Sequence, residues 1–165
     1  MRLLIAGKDK ARAEHVLAHI KRVRPKAAQL LPHVVDSVRY VGPELLSRDS
    51  SFCEHLGGMK HRLLMQPGFD TTTLLHELGH AVSIVARVAD EPWVTVEQLG
   101  LADPGLTYTA ERAADVFVSY CGYEKPLFSE SADRKDHNPL FGMPVGKEEW
   151  NHLETVIVDS LRLID

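Results

Sequence analysis

The chain has 165 residues, of which 44% are hydrophobic and 25% are charged, a composition typical of one compact domain. We therefore expect a single domain that spans residues 1–165. The net charge of -4, with histidines counted as neutral, gives no reason to expect nucleic acid or an anionic membrane as a partner.

Segments for export or membrane insertion are not indicated. The apolar part of the first ten residues, MRLLIAGKDK, is too short for the core of a signal peptide. No apolar run reaches the roughly 20 residues that cross a bilayer. The two cysteines, Cys53 and Cys121, suggest neither a disulfide framework nor a CxxC site. These features predict a cytoplasmic protein, or one that other machinery delivers elsewhere.

The first quarter of the chain predicts two strands and a helix. The apolar run RLLIAG at 2–7 predicts a strand. Apolar residues at helical spacing in DKARAEHVLAHIKRV predict an amphipathic helix over 9–23. Pro25 and Pro32 bound a segment that we expect to be a link, and the β-branched residues at 34–42 predict the second strand.

The next segment leads from a predicted loop into a long helix. Residues 47–58 are polar and rich in Ser and Gly, which favours a loop, whereas 59–68 predict a third strand that ends at Pro-Gly. Asp70, or one of the threonines at 71–73, can then cap a helix that runs to about Val88.

The remainder of the chain predicts two helices separated by irregular segments. Two Pro and two Gly make 89–107 a long connection, and the helix AERAADVFVSYCG follows it at 110–122. Residues 123–146 predict an irregular lobe, and 147–164 predict a closing amphipathic helix. Strands early and helices late predict an α+β fold.

The helix at 71–88 carries the sequence His-Glu-x-x-His. His76 and His80 lie one turn apart and point the same way, so both rings can reach a single ion. Glu77 lies about 100° round the helix from His76, where it can reach a water on that ion. The other positions are mostly apolar, and burying these three groups without a metal would cost roughly 1–3 kcal/mol each. We therefore predict a metal site.

Two histidines leave a zinc site in need of a third protein ligand, with the fourth position open to water. A metzincin would have His at 86 and Gly at 83, but this chain has Ala86 and Ser83, so that class is excluded. Cys53 is available as an upstream ligand, but its surroundings do not resemble those of a peptide deformylase. The better candidate is Glu111, which has Asp115 one turn further on and small neighbours that let two helices approach.

The segments LLHELGHAV and ERAADVF together resemble the gluzincins, a class of HExxH zinc metallopeptidases. The similar members are small: lethal factor-like, Pro-Pro endopeptidase-like and phage-immunity metallopeptidase-like enzymes. The resemblance covers residues 59 to about 120. It implies a zincin-like α+β fold, in which a small, mostly antiparallel sheet packs on an active-site helix, a glutamate-ligand helix and a C-terminal helix.

The same resemblance implies roles for five residues. His76, His80 and Glu111 would bind one zinc ion per chain, and Glu77 would be the general base. Asp115 would hold the ring of the first histidine, a use that general metal-site chemistry also favours. The alternative for Glu111 and Asp115 is a solvated helix face shared with Arg112.

The sequence offers several candidates for the residue that would stabilise the oxyanion. Lethal factor-like enzymes have a tyrosine two turns before the glutamate ligand, where this chain has Pro104. Tyr108, one turn before Glu111, is the nearest substitute, although a core or rim tyrosine is an equal reading. Other candidate donors are His137, Tyr120 and Tyr123. We expect His55 and His61 to lie on the surface.

These features predict zinc-dependent hydrolysis of a peptide or protein substrate. The strand at about His61 to Gln66 would lie beside the cleft and pair through its edge with an extended peptide. The peptidase could also act as a regulator or toxin with one target. In a further alternative, zinc is structural, the domain only binds a partner, and Cys53, His137 or Cys121 closes the site.

Overall fold

The computed structural model describes residues 1–43, 51–85, 110–123 and 144–164. These residues form a four-stranded sheet and five helices, a mixed α and β architecture as predicted. In chain order the elements are β1 (Arg2–Leu4), α1 (Gly7–Val23), α2 (Pro25–Val34), β2 (Val35–Tyr40), β3 (Phe52–Gly57), β4 (Lys60–Met65), α3 (Thr71–Val85), α4 (Ala110–Tyr120) and α5 (Lys147–Ile164).

The sheet has the strand order β1-β2-β4-β3. β2 pairs in parallel with both β1 and β4, and only β3 and β4 are antiparallel. The prediction of a mostly antiparallel sheet is therefore wrong. Two helices carry the chain back between β1 and β2, so that the second strand runs in the same direction as the first. β3 and β4 are joined by a tight turn, in which Gly57 and Gly58 have positive φ.

The segment predicted as a link between Pro25 and Pro32 is helix α2. Pro25 occupies the start of the helix, where a missing N–H removes no hydrogen bond. The apolar side chains of this helix are buried, which stabilises a helix that contains Pro32 in its last turn. They are Ala27, Leu30, Leu31 and Val34.

Residues 52–57, predicted as part of a loop, form strand β3. The polar composition of this segment reflects its position, because the strand hydrogen-bonds only to β4 among the described residues. An edge strand keeps one side towards solvent and needs few apolar residues. The strand at 60–65 is confirmed, but it lies between β2 and β3. Its edge is therefore not free to bind a peptide, contrary to prediction.

Helix α3 begins as predicted after Asp70. The Oδ1 atom of Asp70 accepts a hydrogen bond of 2.7 Å from the backbone N–H of Thr73, which satisfies one of the free donors at the helix start. Beyond Val85 the predicted end of the helix, the connection at 89–107 and most of the lobe at 123–146 lie outside the described residues.

One hydrophobic cluster joins every described helix to the sheet. Its largest fully buried members include Ile20 of α1, Leu30 of α2, Leu63 of β4, Leu78 of α3, Phe117 of α4 and Leu153 of α5. The predicted closing helix is thus confirmed as part of the core. None of the described helices is both long and apolar enough to span a membrane.

His61, predicted at the surface, is completely buried at the start of β4. Its Nδ1 lies 3.1 Å from the carbonyl oxygen of Val34 and donates to it. Its Nε2 is buried with no hydrogen-bond partner among the described residues, and its ring centroid lies 5.1 Å from that of the exposed His55. Burial lowers the pKa of His61, more than the hydrogen bond to Val34 raises it.

We expect His61 to make the fold acid-sensitive. Above pH 6.5 the ring is neutral in both states; as the pH falls through 6.5, the unfolded chain takes up a proton that the folded chain resists. Stability is therefore lost with falling pH, by at most about 1.4 kcal/mol per pH unit for one proton. His61→Gln keeps a donor for Val34 and should lose less stability than wild type between about pH 8 and pH 5.5.

Urea unfolding of both proteins in the presence of a chelator measures this difference. The comparison at about pH 8, where residue 61 is neutral in both proteins, gives the cost of the substitution itself. If wild type and His61→Gln lose equal stability on acidification, His61 does not contribute to the acid sensitivity of the fold.

Candidate metal centre

Helix α3 brings the two histidines of the HExxH motif together. Their ring centroids lie 4.6 Å apart with perpendicular planes, and the two Nε2 atoms are separated by 3.1 Å. His76 is buried and His80 is partly buried. The spacing of four residues on a helix thus places both ring nitrogens at one point, as predicted.

Helix α4 adds the carboxylate of Glu111 to this point. Its Oε2 lies 3.1 Å from Nε2 of His76, and its Oε1 lies 3.1 Å from Nε2 of His80. The ligand atoms of the three residues all lie within 4.8 Å of one another. His76, His80 and Glu111 therefore form a group that could hold a metal ion, and Glu111 does not lie on a merely solvated face.

Gly79 allows α3 and α4 to approach closely enough for this arrangement. A Cβ atom at Gly79 would lie 2.8 Å from Cβ of Phe117 and 2.9 Å from both Cα and the carbonyl oxygen of Ala114. These distances are shorter than any normal contact, and two of them involve backbone. The absence of a side chain at Gly79 is what sets the spacing of the two helices at the site.

Asp115 fixes the orientation of the first histidine. Its Oδ1 lies 2.8 Å from Nδ1 of His76, and a carboxylate can only accept, so Nδ1 carries the hydrogen. In a neutral ring Nε2 then has a lone pair, and this lone pair faces a carboxylate oxygen of Glu111 at 3.1 Å. Two acceptors at this distance repel each other unless a proton or a cation lies between them.

Glu111 also carries the negative charge of the group. Burial alone would raise the pKa of this carboxyl, but when the rings of His76 and His80 are protonated, their hydrogen bonds and charges outweigh burial and lower the pKa well below its ordinary range. Its side chain is 42% exposed, whereas those of the two histidines are 10% and 12% exposed. The group therefore opens to solvent on the side of Glu111.

Glu77, the predicted base, is buried with 6% of its surface exposed. It follows His76 on α3, and its charge reaches the thiol of Cys53 on the neighbouring strand β3. Burial, and to a smaller degree Glu77, raise the pKa of Cys53 to about 12. Neither Cys53 nor Cys121 belongs to the ligand group found among the described residues. A cysteine therefore does not complete the group there.

The oxyanion donors proposed from sequence are not brought to the site by the described residues. Tyr120 ends α4, about 13 Å along the helix axis from Glu111, and its ring packs under the guanidinium of Arg24 at 3.9 Å. Tyr123 packs edge-on against the ring of His19, with 5.0 Å between the centroids. Tyr108 and His137 lie outside the described residues.

Arg112 is a residue whose role the sequence analysis missed. The sequence analysis named it only in the alternative of a solvated helix face, but it is 2% exposed and pairs with the similarly buried Glu149 of α5. The available signal was its position between Glu111 and Ala113, immediately before the apolar part of a predicted helix. Glu149, near the start of α5, gave no comparable signal.

Comparisons with protein-family models, with curated proteins and with solved structures give no match. The resemblance to the gluzincins thus depends on the motif residues alone and stays a prediction.

Proposed function

We propose that the protein is a zinc-dependent peptidase whose metal ligands are His76, His80 and Glu111. One observation carries the proposal. With its Nδ1 hydrogen given to Asp115, His76 directs a lone pair towards the carboxylate of Glu111 and the ring nitrogen of His80. A divalent cation at the centre of the three atoms turns this repulsion into coordination.

The spacing of the ligand atoms suits zinc. Zinc bonds to histidine nitrogen and carboxylate oxygen are about 2.0–2.2 Å long, so a tetrahedral site has ligand–ligand edges of about 3.3–3.6 Å. The two histidine nitrogens lie 3.1 Å apart, and each lies 3.1 Å from a different carboxylate oxygen of Glu111, which is close to these edges. Two histidines and one carboxylate also match the donor set of zinc hydrolases, which keep the fourth position for water.

Two further features favour an open catalytic site over a closed structural one. Glu111 is 42% exposed, so solvent can reach the fourth position. Among the residues that the structure describes, no cysteine, further histidine or further carboxylate joins the group as a fourth ligand. A structural zinc site would have four protein ligands and no room for water.

The chain's own residues would divide the chemistry among them. When bound, zinc would polarise a substrate carbonyl and make a water acidic. Glu77 would take the proton of the attacking water and return it to the leaving amine, so that one carboxylate serves as base and then as acid. Asp115 would keep His76 in the tautomer whose Nε2 carries the lone pair for coordination. The buried Glu77 lies where bulk water does not screen it.

We assign the substrate to extended peptides that pair with strand β3. This strand is an edge of the sheet and contacts α3 in the described part of the chain, and the charge of Glu77 contributes to the raised pKa of its Cys53. A peptide added to that edge would gain main-chain hydrogen bonds, which select for extended conformation and little for sequence. β3 thus takes the place in which the sequence analysis had put β4.

Elemental analysis of purified protein tests the metal site without knowledge of a substrate. We expect about one zinc per chain in wild type and a marked loss in Glu111→Ala, because three protein ligands hold the ion in an open site. Glu14→Ala, a matched change at an exposed position of α1, should keep wild-type zinc. Full zinc in Glu111→Ala would mean that the third ligand lies elsewhere and that the proposed site is wrong.

A further inference from the structure

Arg112 of α4 and Glu149 of α5 form an ion pair that is almost completely removed from water. Their side chains are 3% and 2% exposed. Nε of Arg112 donates to Oε1 of Glu149 at 2.8 Å, and Nη2 donates to Oε2 at 2.9 Å. A planar guanidinium that meets a carboxylate at two points fixes both the distance and the relative orientation of the two groups.

The same two side chains also hold the segment that enters α5. Nη2 of Arg112 donates to the carbonyl oxygen of Pro144 at 3.1 Å. Oε2 of Glu149 accepts the backbone N–H of Gly146 at 2.9 Å. Since α5 begins at Lys147, Glu149 is its third residue and reaches back to the residue before the helix, as in a capping box. One carboxylate thus connects the start of α5 to the start of α4.

The connection at α4 lies next to a metal ligand. Glu111 directly precedes Arg112 and is the second residue of α4, in the turn whose N–H groups have no acceptor within the helix and which tends to fray. The side chain of Glu111 is 42% exposed, so its own packing restrains it weakly. The two buried hydrogen bonds from Arg112 to Glu149 restrain this turn far more strongly.

Stability alone does not account for such a pair. A buried ion pair is often no more stabilising than apolar side chains of similar volume, because both charges lose their hydration. What the pair can provide is one defined placement of the first turn of α4. That placement is what a ligand on the second residue of a helix requires.

We propose that Glu149 is a positioning residue for the metal centre: through its fork to Arg112 it holds the first turn of α4 and so keeps Glu111 beside His76 and His80. The inference rests on the proposed function, since it takes these three residues as metal ligands. Because coupling is reciprocal, bound metal also stabilises the contact between α4 and α5.

Glu149→Gln tests the inference, since it keeps the shape of the side chain and removes its charge. We expect zinc binding to weaken by about 10- to 100-fold, the range found for residues that orient metal ligands. The dissociation constant is measured by competition of Zn²⁺ between the protein and a chromophoric chelator. Glu148→Gln, at the exposed neighbouring position, is the matched control and should bind zinc as wild type does.

Two further variants separate positioning from damage to the fold. The double variant Arg112→Met/Glu149→Leu removes both charges of this pair together; we expect it to fold, as urea unfolding will check, yet to bind zinc as weakly as Glu149→Gln. In a Glu111→Ala background, Glu149→Gln should cause no additional loss of zinc affinity, because the ligand that it positions is gone.

Different results would overturn the inference in distinguishable ways. Wild-type zinc affinity in Glu149→Gln and in the double variant, with weak binding in Glu111→Ala, would make the pair purely structural and leave the metal site intact. If Glu149→Gln also lowers zinc affinity in the Glu111→Ala background, Glu149 acts through the fold as a whole. Failure of wild type to bind zinc would overturn the proposed function together with this inference.

Discussion

Glu77→Gln is expected to keep about one zinc per chain and to lose peptide hydrolysis by at least about 10²- to 10⁴-fold, the usual contribution of general acid–base catalysis. Glutamine has the same shape as glutamate but cannot take a proton from water at neutral pH. The side chain is buried and does not belong to the group formed by His76, His80 and Glu111 that could hold the metal, so metal binding should survive.

The measurement compares wild type and Glu77→Gln on a peptide that wild type cleaves, found with a mixture of random peptides. Zinc content is determined on the same preparations, so that a loss of rate is not a loss of metal. Glu77→Asp keeps a carboxylate but shortens its reach, and its rate should fall between those of the other two proteins. Chelator-sensitive cleavage by Glu77→Gln at the wild-type rate would refute the assignment of the base.

Gly79→Ala is expected to weaken zinc binding and to destabilise the fold by about 1–3 kcal/mol, the usual cost of overpacking a core. In an isolated helix the same change would stabilise by about 1 kcal/mol, because alanine is the better helix former. Here the added Cβ would lie 2.8–2.9 Å from atoms of Phe117 and Ala114. The helices must therefore separate, which moves Glu111 away from the histidines.

Urea unfolding of the metal-free protein and zinc competition measure the two effects of Gly79→Ala separately. Addition of Ala114→Gly should not restore either property, because the close contacts at Ala114 are to its Cα and carbonyl oxygen and remain in glycine. A gain in stability with unchanged zinc affinity would mean that propensity dominates and that α3 and α4 do not approach as described.

Features set by local spacing could be predicted from the sequence. His76 and His80 meet because four residues make about one turn of a helix, and Asp115 follows Glu111 by the same distance. Asp70 caps α3 as expected, since a short acceptor before an apolar periodic run is a local signal. The pairing of Glu111 with the two histidines was chosen by residue type and resemblance, and the structure brings the three together.

Apart from the grouping of Glu111 with the two histidines, features that depend on partners distant in the chain were predicted incorrectly or not at all. The parallel pairing of β2 with β1 and β4 was missed because strand direction depends on the crossover between the strands and not on their composition. β3 resembled a loop because an edge strand needs few apolar residues. His61 looked polar and exposed, yet it is buried against the end of α2.

The sequence by itself therefore determined four of the five described helices and the residue types of the candidate metal group, because both depend on residue type and on spacing within one or two turns. Only the tertiary structure decided which elements meet. It placed Gly79 of α3 against Ala114 of α4, and it buried Arg112 against Glu149. Such contacts join residues that are 35 and 37 positions apart, so local residue preferences do not encode them.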